Sequence, residues 1–390
     1  MITSRDFSDL RPRMRDWRHD FHQHPELAFK EVRTSEKVAA LLREFGLDVT
    51  TGVAGTGVVA SLRNGDGPLI GLRADMDALP IHEENGFKHA SKTSGVMHAC
   101  GHDGHMSMLL GAAYYLAMSP MFQGTVHFIF QPAEENEAGA LAMIEDGIFN
   151  RFDCNAIYGL HNWPGLAVGH MEVCFGPIMA AFDTFDISVE GQGAHAAQPH
   201  KGRDTVLASA DLIASLHGIV SRRVEPTAPA VVSVTKVSGG NTYNVLPARV
   251  ELAGCTRHFD ETTQNLIEKE ILQRCTGLAA ANGVEIVLDY QRRYPATVNT
   301  SVETKLAIIA AAQTVGADAV KDDGLPSLGS EDFSFMLKER PGCYIRIGNG
   351  PSEGGRALHS PTYDFCDDAL TFGAAYWANL VPVALRAIGN

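Results

Sequence analysis

Apolar positions along the chain recur with two periods. Over residues 11–24 and 34–46, Trp17, Phe21, Val38, Leu41, Leu42 and Phe45 fall at near-helical spacing, and Gly46 follows as a stop signal. Short apolar runs at 58–62 and 69–72 predict strands. A helix is predicted over 106–117, then strands over 125–130 and 156–160, the last ending at His161. Strands alternating with helices predict an α/β sheet.

The pattern changes near residue 180. Phe182, Thr184, Asp186 and Ser188 alternate with Phe185, Ile187 and Val189, the signature of a half-buried strand. A helix over 205–220, strands over 230–237 and 250–257, a helix over 262–281 and a strand over 284–290 complete a βαββαβ order, that of a split-βαβ, ferredoxin-like unit. The α/β pattern resumes with a helix over 302–315, a strand over 343–348 and an apolar helix over 369–388. The expected organisation is a catalytic domain in two parts, 1–181 and 294–390, interrupted by an inserted α+β domain at 182–293. Repeats and low-complexity segments are absent from the sequence.

Composition narrows the function classes. The 390 residues carry 32 Lys and Arg against 46 Asp and Glu, a formal charge of -14. Nucleic acid and anionic membranes favour a basic face, so neither is an expected partner. No run reaches the ~18 apolar residues of a membrane span, and the N-terminus shows no apolar signal region. The seven Cys are widely spaced without a C-x-x-C pair, which fits a reduced, cytoplasmic setting better than a disulfide framework. Gly52, Gly55 and Gly57 superficially resemble a phosphate loop, but their order is wrong and a strand, not a helix, follows.

Candidate chemistry gathers in a few segments. Residues 97–105 read MHACGHDGH, placing Cys100, His102 and two further His close together, with Gly101 and Gly104 permitting a turn before the helix from 106. A structural zinc knot or a surface His cluster are the plainer readings. Residues 131–135, QPAEE, follow an apolar strand at the position where open α/β sheets build their crevices. Adjacent side chains diverge in extended chain, so Glu134 and Glu135 can do different work; a solvated acidic loop is the alternative. His161 and His359 also stand in loop or strand-end positions. Asp75 and Asp77, spaced i, i+2, could bind metal, buttress ligands or simply pair with Arg73.

The runs RADMDALPI from Arg73, MHACGHDGH from Met97, QPAEE from Gln131, GLHNWP from Gly159, GAHAAQPH from Gly193, NVLPARVEL from Asn244, GSEDFS from Gly329 and LHSPTYDF from Leu358 stand in that order. In this the chain resembles the di-metal aminoacylase and carboxypeptidase superfamily, in its branch of hippurate hydrolases, N-acyl-amino-acid amidohydrolases and plant auxin-conjugate hydrolases. The resemblance covers nearly the whole chain. It implies a zinc-peptidase-like α/β catalytic domain with an inserted lid that pairs subunits into homodimers or homotetramers.

The resemblance also implies roles. Two divalent metals per subunit would be held by Cys100, His102, Glu135, His161 and His359. Cys100 would bridge them, with His102 and His161 on one and Glu135 and His359 on the other. Zinc suits these ligands; manganese, cobalt and nickel remain open. Glu134 would be the general base, and Asp75 and Asp77 would orient ligands. His195 would approach the reacting carbonyl, and Asn244 and Arg257 would bind the substrate carboxylate. His98 and His105 are unassigned. The lid motif departs at Gly254-Cys255-Thr256-Arg257, where relatives usually carry Thr at the second position; Arg257 is kept.

The implied activity is hydrolysis of N-acyl-L-amino acids, hippurate-like or N-acetylated, to a carboxylic acid and a free amino acid. Two rivals stand beside it. Cys100 could be the nucleophile of a thiol hydrolase with His102 or His161 as base, though that leaves Glu134, Glu135 and His359 unused. A catalytically silent conjugate-binding protein is the other, although such a protein would usually lack part of the ligand set. The sequence leaves open the acyl group, the amino acid and the native metal.

Overall fold

The computed structural model describes residues 1–135, 137–352 and 356–389. Two compact units emerge. The first comprises Met1–Ile178, Thr297–Leu325 and Asp332–Asn390; the second comprises Met179–Ala296 and Pro326–Glu331. The apolar pattern alone puts the boundaries of the insertion at 182 and 293. The six residues Pro326–Glu331 join the second unit although they lie far beyond its main segment.

The first unit is built on an eight-stranded mixed sheet. Its strand order is Asp48–Val53, Gly57–Asn64, Gly124–Gln131, Leu69–Asp75, Ala156–Trp163, Gly342–Gly348, Met171–Glu172 and Val320–Lys321. Its centre is parallel: Leu69–Asp75 pairs with Gly124–Gln131 and Ala156–Trp163, and the latter pairs with Gly342–Gly348. Nearly every residue of these four strands is buried, which explains their continuous apolar runs. Gly52, Gly55 and Gly57 fall in and around the hairpin joining Asp48–Val53 to Gly57–Asn64.

Helix His102–Met118 lies in this unit's core and is buried almost all round, as is the C-terminal helix Ala369–Ile388. Both therefore lack a polar stripe in sequence. Asn379, in the C-terminal helix, accepts from the Ile2 N–H and donates to the Ile2 carbonyl and to Thr314 Oγ1, tying the N-terminal segment to the core. Among the described residues, no helix is long and apolar enough to cross a membrane.

The second unit is a four-stranded antiparallel sheet with helices Thr205–Arg223 and Glu261–Asn282. Its spatial order is Val231–Gly239, Arg249–His258, Ala181–Glu190 and Glu285–Tyr294. In chain order this is βαββαβ. Phe185, Ile187 and Val189 face the helices' Leu212, Leu216, Ile267 and Ile271, while Asp186 on the alternate side is exposed. Asp204 and Asp260 cap the helices, Asp204 accepting from Val206 N and Leu207 N at 3.0 Å each and Asp260 from Thr263 N at 2.8 Å.

Because Asp204 satisfies two orphan helix donors, Asp204→Ala should destabilise the second unit by about 1 kcal/mol. Urea unfolding followed by a probe in this unit measures it. An unmoved midpoint would show that water replaces the cap without loss.

Candidate functional site

The central strands deliver their chemistry at their carboxyl ends. Asp75 ends one strand in register with Gln131, which ends its neighbour, and His161 lies on the next strand. Helix His102–Met118 starts earlier than its apolar spacing predicts. Its first turn carries His102, with Gly101 immediately before it at φ 89°, a left-handed conformation that costs glycine little. Gly104 lies inside the helix instead of forming a turn: a Cβ there would meet the Phe365 ring at 2.4 Å. It is glycine because Phe365 packs against it.

Hydrogen bonds fix three histidine tautomers. His102 Nδ1 donates to the Asp77 carbonyl at 2.8 Å, which in the neutral ring leaves Nε2 as an acceptor. His161 Nδ1 donates to the Asn162 carbonyl at 2.6 Å, and its Nε2 lies 3.4 Å from Cys100 Sγ. His105 Nε2 accepts from the Asn162 N–H at 2.9 Å, so its Nδ1 donates to Asp75 at 2.7 Å. His102 Nε2 is buried and has no hydrogen-bond partner among the described residues. A lone pair so placed suits a metal ion.

The first unit brings together the five expected ligand positions in two overlapping groups. One is Cys100, His102 and His161; the other is Cys100, Glu135 and His359. Within each, candidate ligand atoms lie within 4.8 Å of one another. His359 takes φ 63°, unusual for a non-glycine residue, and its Nε2 is 3.3 Å from Glu135. Asp77 holds the acidic pair: its carboxylate accepts from Glu134 N at 3.0 Å and Glu135 N at 2.9 Å. Asp75 receives His105 and Arg73, combining the buttress and salt-bridge readings.

Beneath these residues runs a buried network that sequence reasoning does not assign. Arg73 donates to Gln131 at 2.7 Å, to Asp75 at 2.7 Å and to Asp332 at 3.0 Å. Asp332 also accepts from Gln131 Nε2 and the Ala140 N–H. Arg73, Gln131 and Asp332 stand inside the ordered motifs, but nothing in a one-dimensional pattern shows that they meet. His105 and Asn162, also unassigned, join the strand carrying His161 to Asp75.

The electrostatics calls for a cation. Burial opposes a charge on His102, yet Asp75, Asp77 and Glu135 outweigh it and lift its pKa to about 10, so without a metal the ring itself carries the positive charge, and a bound cation would take the place of its Nε2 proton. Burial, with Glu135, Glu134 and Asp75 around it, pushes the Cys100 thiol well above its ordinary range. Burial, reinforced by His105, holds His161 well below its own. A catalytic thiol wants the opposite shifts, with thiolate and imidazolium favoured. This environment therefore weighs against Cys100 as a nucleophile.

The other three expected residues lie in the second unit. His195, on the two-residue strand Ala194–His195, pairs with Val245 beside Asn244, and Ala196 N donates to the Asn244 carbonyl. His195 Nδ1 accepts from Ala197 N at 3.1 Å, so the neutral ring carries its proton on Nε2. Arg257 lies over the Phe182 ring, 4.1 Å from its centroid, and donates to Ser330 Oγ at 3.0 Å. A separate cavity of about 560 Å³, lined by residues including Pro68, Phe122, Leu385 and Arg386, contains none of these candidates.

Residues 71–382 match the sequence profile of peptidase family M20/M25/M40. The chain belongs to this family. It is 39% identical over 373 residues to a hippurate hydrolase from Campylobacter jejuni, covering 95% of this chain and 96% of that protein. An N-acetylcysteine deacetylase from Bacillus subtilis is 37% identical over 380 residues, with 96% and 98% covered. Among solved structures, a Bacillus subtilis M20 protein described as a dinuclear metal-binding peptidase aligns with a TM-score of 0.85 at 34% identity, covering 96% of this chain and 98% of that one. The α/β fold of the M20 family is thus the fold of this chain.

Gly104→Ala should lower stability by about 1–3 kcal/mol through overpacking against Phe365. Chemical unfolding of the metal-free chain measures this. An unchanged midpoint would mean that Phe365 moves freely and does not dictate the glycine.

Proposed function

We propose that this M20-family chain is a metal-dependent amidohydrolase that cleaves N-acyl-L-amino acids, hippurate-like or N-acetylated, into a carboxylic acid and a free amino acid. The observation that carries the reading is the pair of ligand groups sharing Cys100. Three donors apiece with one in common suit two divalent ions, and the orphaned His102 Nε2 fits that use. His102 and His161 would serve one ion, Glu135 and His359 the other, and Cys100 both. Thiolate and imidazole ligands favour zinc, with manganese, cobalt or nickel as alternatives. The names of the hippurate and N-acetylcysteine relatives support the substrate class.

When bound, the ions supply Lewis acidity, lowering the pKa of a water and polarising the amide carbonyl. Glu134 takes the proton of the attacking water, whose oxygen bonds to the carbonyl carbon. His195, with its proton on Nε2, donates a hydrogen bond to the developing oxyanion. Glu134 then passes its proton to the amine nitrogen as the C–N bond breaks, releasing acid and amine. Arg257 and Asn244 hold the substrate α-carboxylate, the guanidinium by paired hydrogen bonds. Asp75 and Asp77 keep the histidines and the acidic pair in place.

The same reading includes a homodimer or homotetramer formed through the second unit acting as a lid, and a cytoplasmic setting. The seven cysteines, all free, fit a reducing compartment.

The test is a panel of N-acyl amino acids assayed with stripped and metal-reloaded protein. Activity should vanish on stripping and return with zinc, manganese or cobalt. Glu134→Ala should abolish turnover while keeping its metal, and Glu135→Ala should lose metal. Full activity after verified metal removal would overturn the mechanism, and equal metal loss in both variants would overturn the division of labour.

Arg257→Ala should raise KM for an N-acyl amino acid far more than for its carboxamide, since only the former offers a carboxylate. Equal effects on both would make Arg257 a residue of the fold alone.

A further inference from the structure

The first unit contains a pocket of about 430 Å³ whose walls include Leu27, Phe29, Leu79 and Pro80, with Lys30, Glu135 and Glu137 as its charged members. Its size lies within the range of small-molecule sites. Resting on the amidohydrolase reading, we infer that this pocket receives the acyl group of the substrate and selects aromatic acyl groups over acetyl, with Phe29 as a specificity-determining residue.

Three observations carry the assignment. The pocket shares Glu135 with the proposed ligand set, so a group seated in it lies next to the reacting amide. Its uncharged walls offer aliphatic and aromatic surface. Of the groups of an N-acyl amino acid, the α-carboxylate needs cationic or N–H donors, whereas the acyl group, which even for a glycine conjugate is present, gains from apolar walls. An acetyl methyl would leave most of this volume to water, whereas an aryl ring would bury apolar surface on both sides.

The third observation is the backbone of Phe29. It takes φ 57° and the residue is 40% exposed. A bulky residue rarely adopts that conformation, and an aromatic ring rarely gains by facing water there. The surroundings enforce it. Lys30 N donates to the Leu27 carbonyl at 2.9 Å, closing the turn, and Ala78 N donates to the Glu26 carbonyl at 2.8 Å. The Glu26 carboxylate accepts from Arg33 N and Thr34 N. Glu31 accepts from Thr56 Oγ1 at 2.7 Å and from Ala133 N at 2.9 Å, tying the turn to the segment that carries Glu134 and Glu135. A strained residue fixed from both sides and presented at a pocket is the pattern of a preorganised binding wall.

The experiment compares kcat/KM for N-benzoyl and N-acetyl derivatives of one amino acid, using the full chain reloaded with zinc or manganese. The wild type should favour the benzoyl substrate by at least roughly tenfold, and Phe29→Ala should reduce that ratio by roughly tenfold. Phe29→Gly should reduce it similarly while keeping Tm, because glycine relieves the left-handed strain. If the wild type hydrolyses N-acyl amino acids without preferring benzoyl, or if both variants leave the ratio unchanged, the pocket assignment falls and the amidohydrolase reading stands. A marked fall in Tm for Phe29→Gly with an unchanged ratio would likewise make Phe29 a residue of the fold. If Lys30→Ala selectively weakens the N-benzoyl amino acid relative to its carboxamide, the pocket holds the carboxylate and the acyl assignment is overturned. If the reloaded wild type cleaves neither substrate, nor any other N-acyl amino acid, both readings fall together.

Discussion

Asp77 is the constraint on which the site depends. Its carboxylate accepts the backbone N–H groups of Glu134 and Glu135, and its carbonyl accepts the Nδ1 proton of His102. One residue thus sets the direction of two adjacent carboxylates and the tautomer of an imidazole on a different element. The bonds to Glu134 and Glu135 are made through the backbone, so the side chains remain available for chemistry. Asp77 is nearly fully buried, where an unpaired carboxylate would be costly. The segments at Asp77, His102 and Glu134 therefore keep their relative placement or leave that charge unsatisfied.

A second buried charge group extends the same logic. Arg73 joins Asp75, Gln131 and Asp332, all with almost no exposure. Buried ion pairs are weak contributors to net stability, because desolvation offsets attraction. Their effect here is geometric. Asp75 is oriented by Arg73 on one side and receives His105 on the other, and His105 accepts from the backbone of Asn162 next to His161. A chain of hydrogen bonds thus runs from one central strand to the next, and neither Asp75 nor His105 can shift without breaking several bonds.

The outer frame of this arrangement is legible in the sequence, and the joints are hidden. Continuous apolar runs mark the central strands, and the ligand types at their ends mark the chemistry, because both are properties of residues near one another in the chain. The alternation of Phe185, Ile187 and Val189 with polar neighbours foretells one wet and one dry face, which the burial of that strand shows. Apolar spacing starts the third helix at Met106, four residues late, whereas Gly101 and the burial of His102 and Asp103 set the true first turn. Gly104 reads as a turn residue because its partner, Phe365, is distant in sequence. The backbone bonds made by Asp77 have no sequence signal at all, since any residue but proline offers an N–H. The resemblance of the ordered motifs supplies roles that periodicity alone leaves open.

The two units divide the physical work differently. In the first, three of the five proposed ligands, Cys100, His102 and His161, are almost wholly buried, Glu135 is partly buried, and His359 keeps substantial exposure. Burial there excludes water and strengthens each electrostatic interaction with a bound cation. In the second, His195 and Asn244 are exposed and Arg257 is half-buried, stacked on Phe182 and fixed by Ser330. Groups proposed to meet a substrate cannot be sealed in a core, but they can be preset. The Ala197 N–H selects the protonated nitrogen of His195, and the Phe182 ring supports the guanidinium from one face. On the proposed reading, buried ligands would keep the reaction chemistry constant while preset exposed groups would be free to vary with the substrate. Such an arrangement is compatible with relatives of nearly equal similarity that carry the names of different acyl-amino-acid substrates.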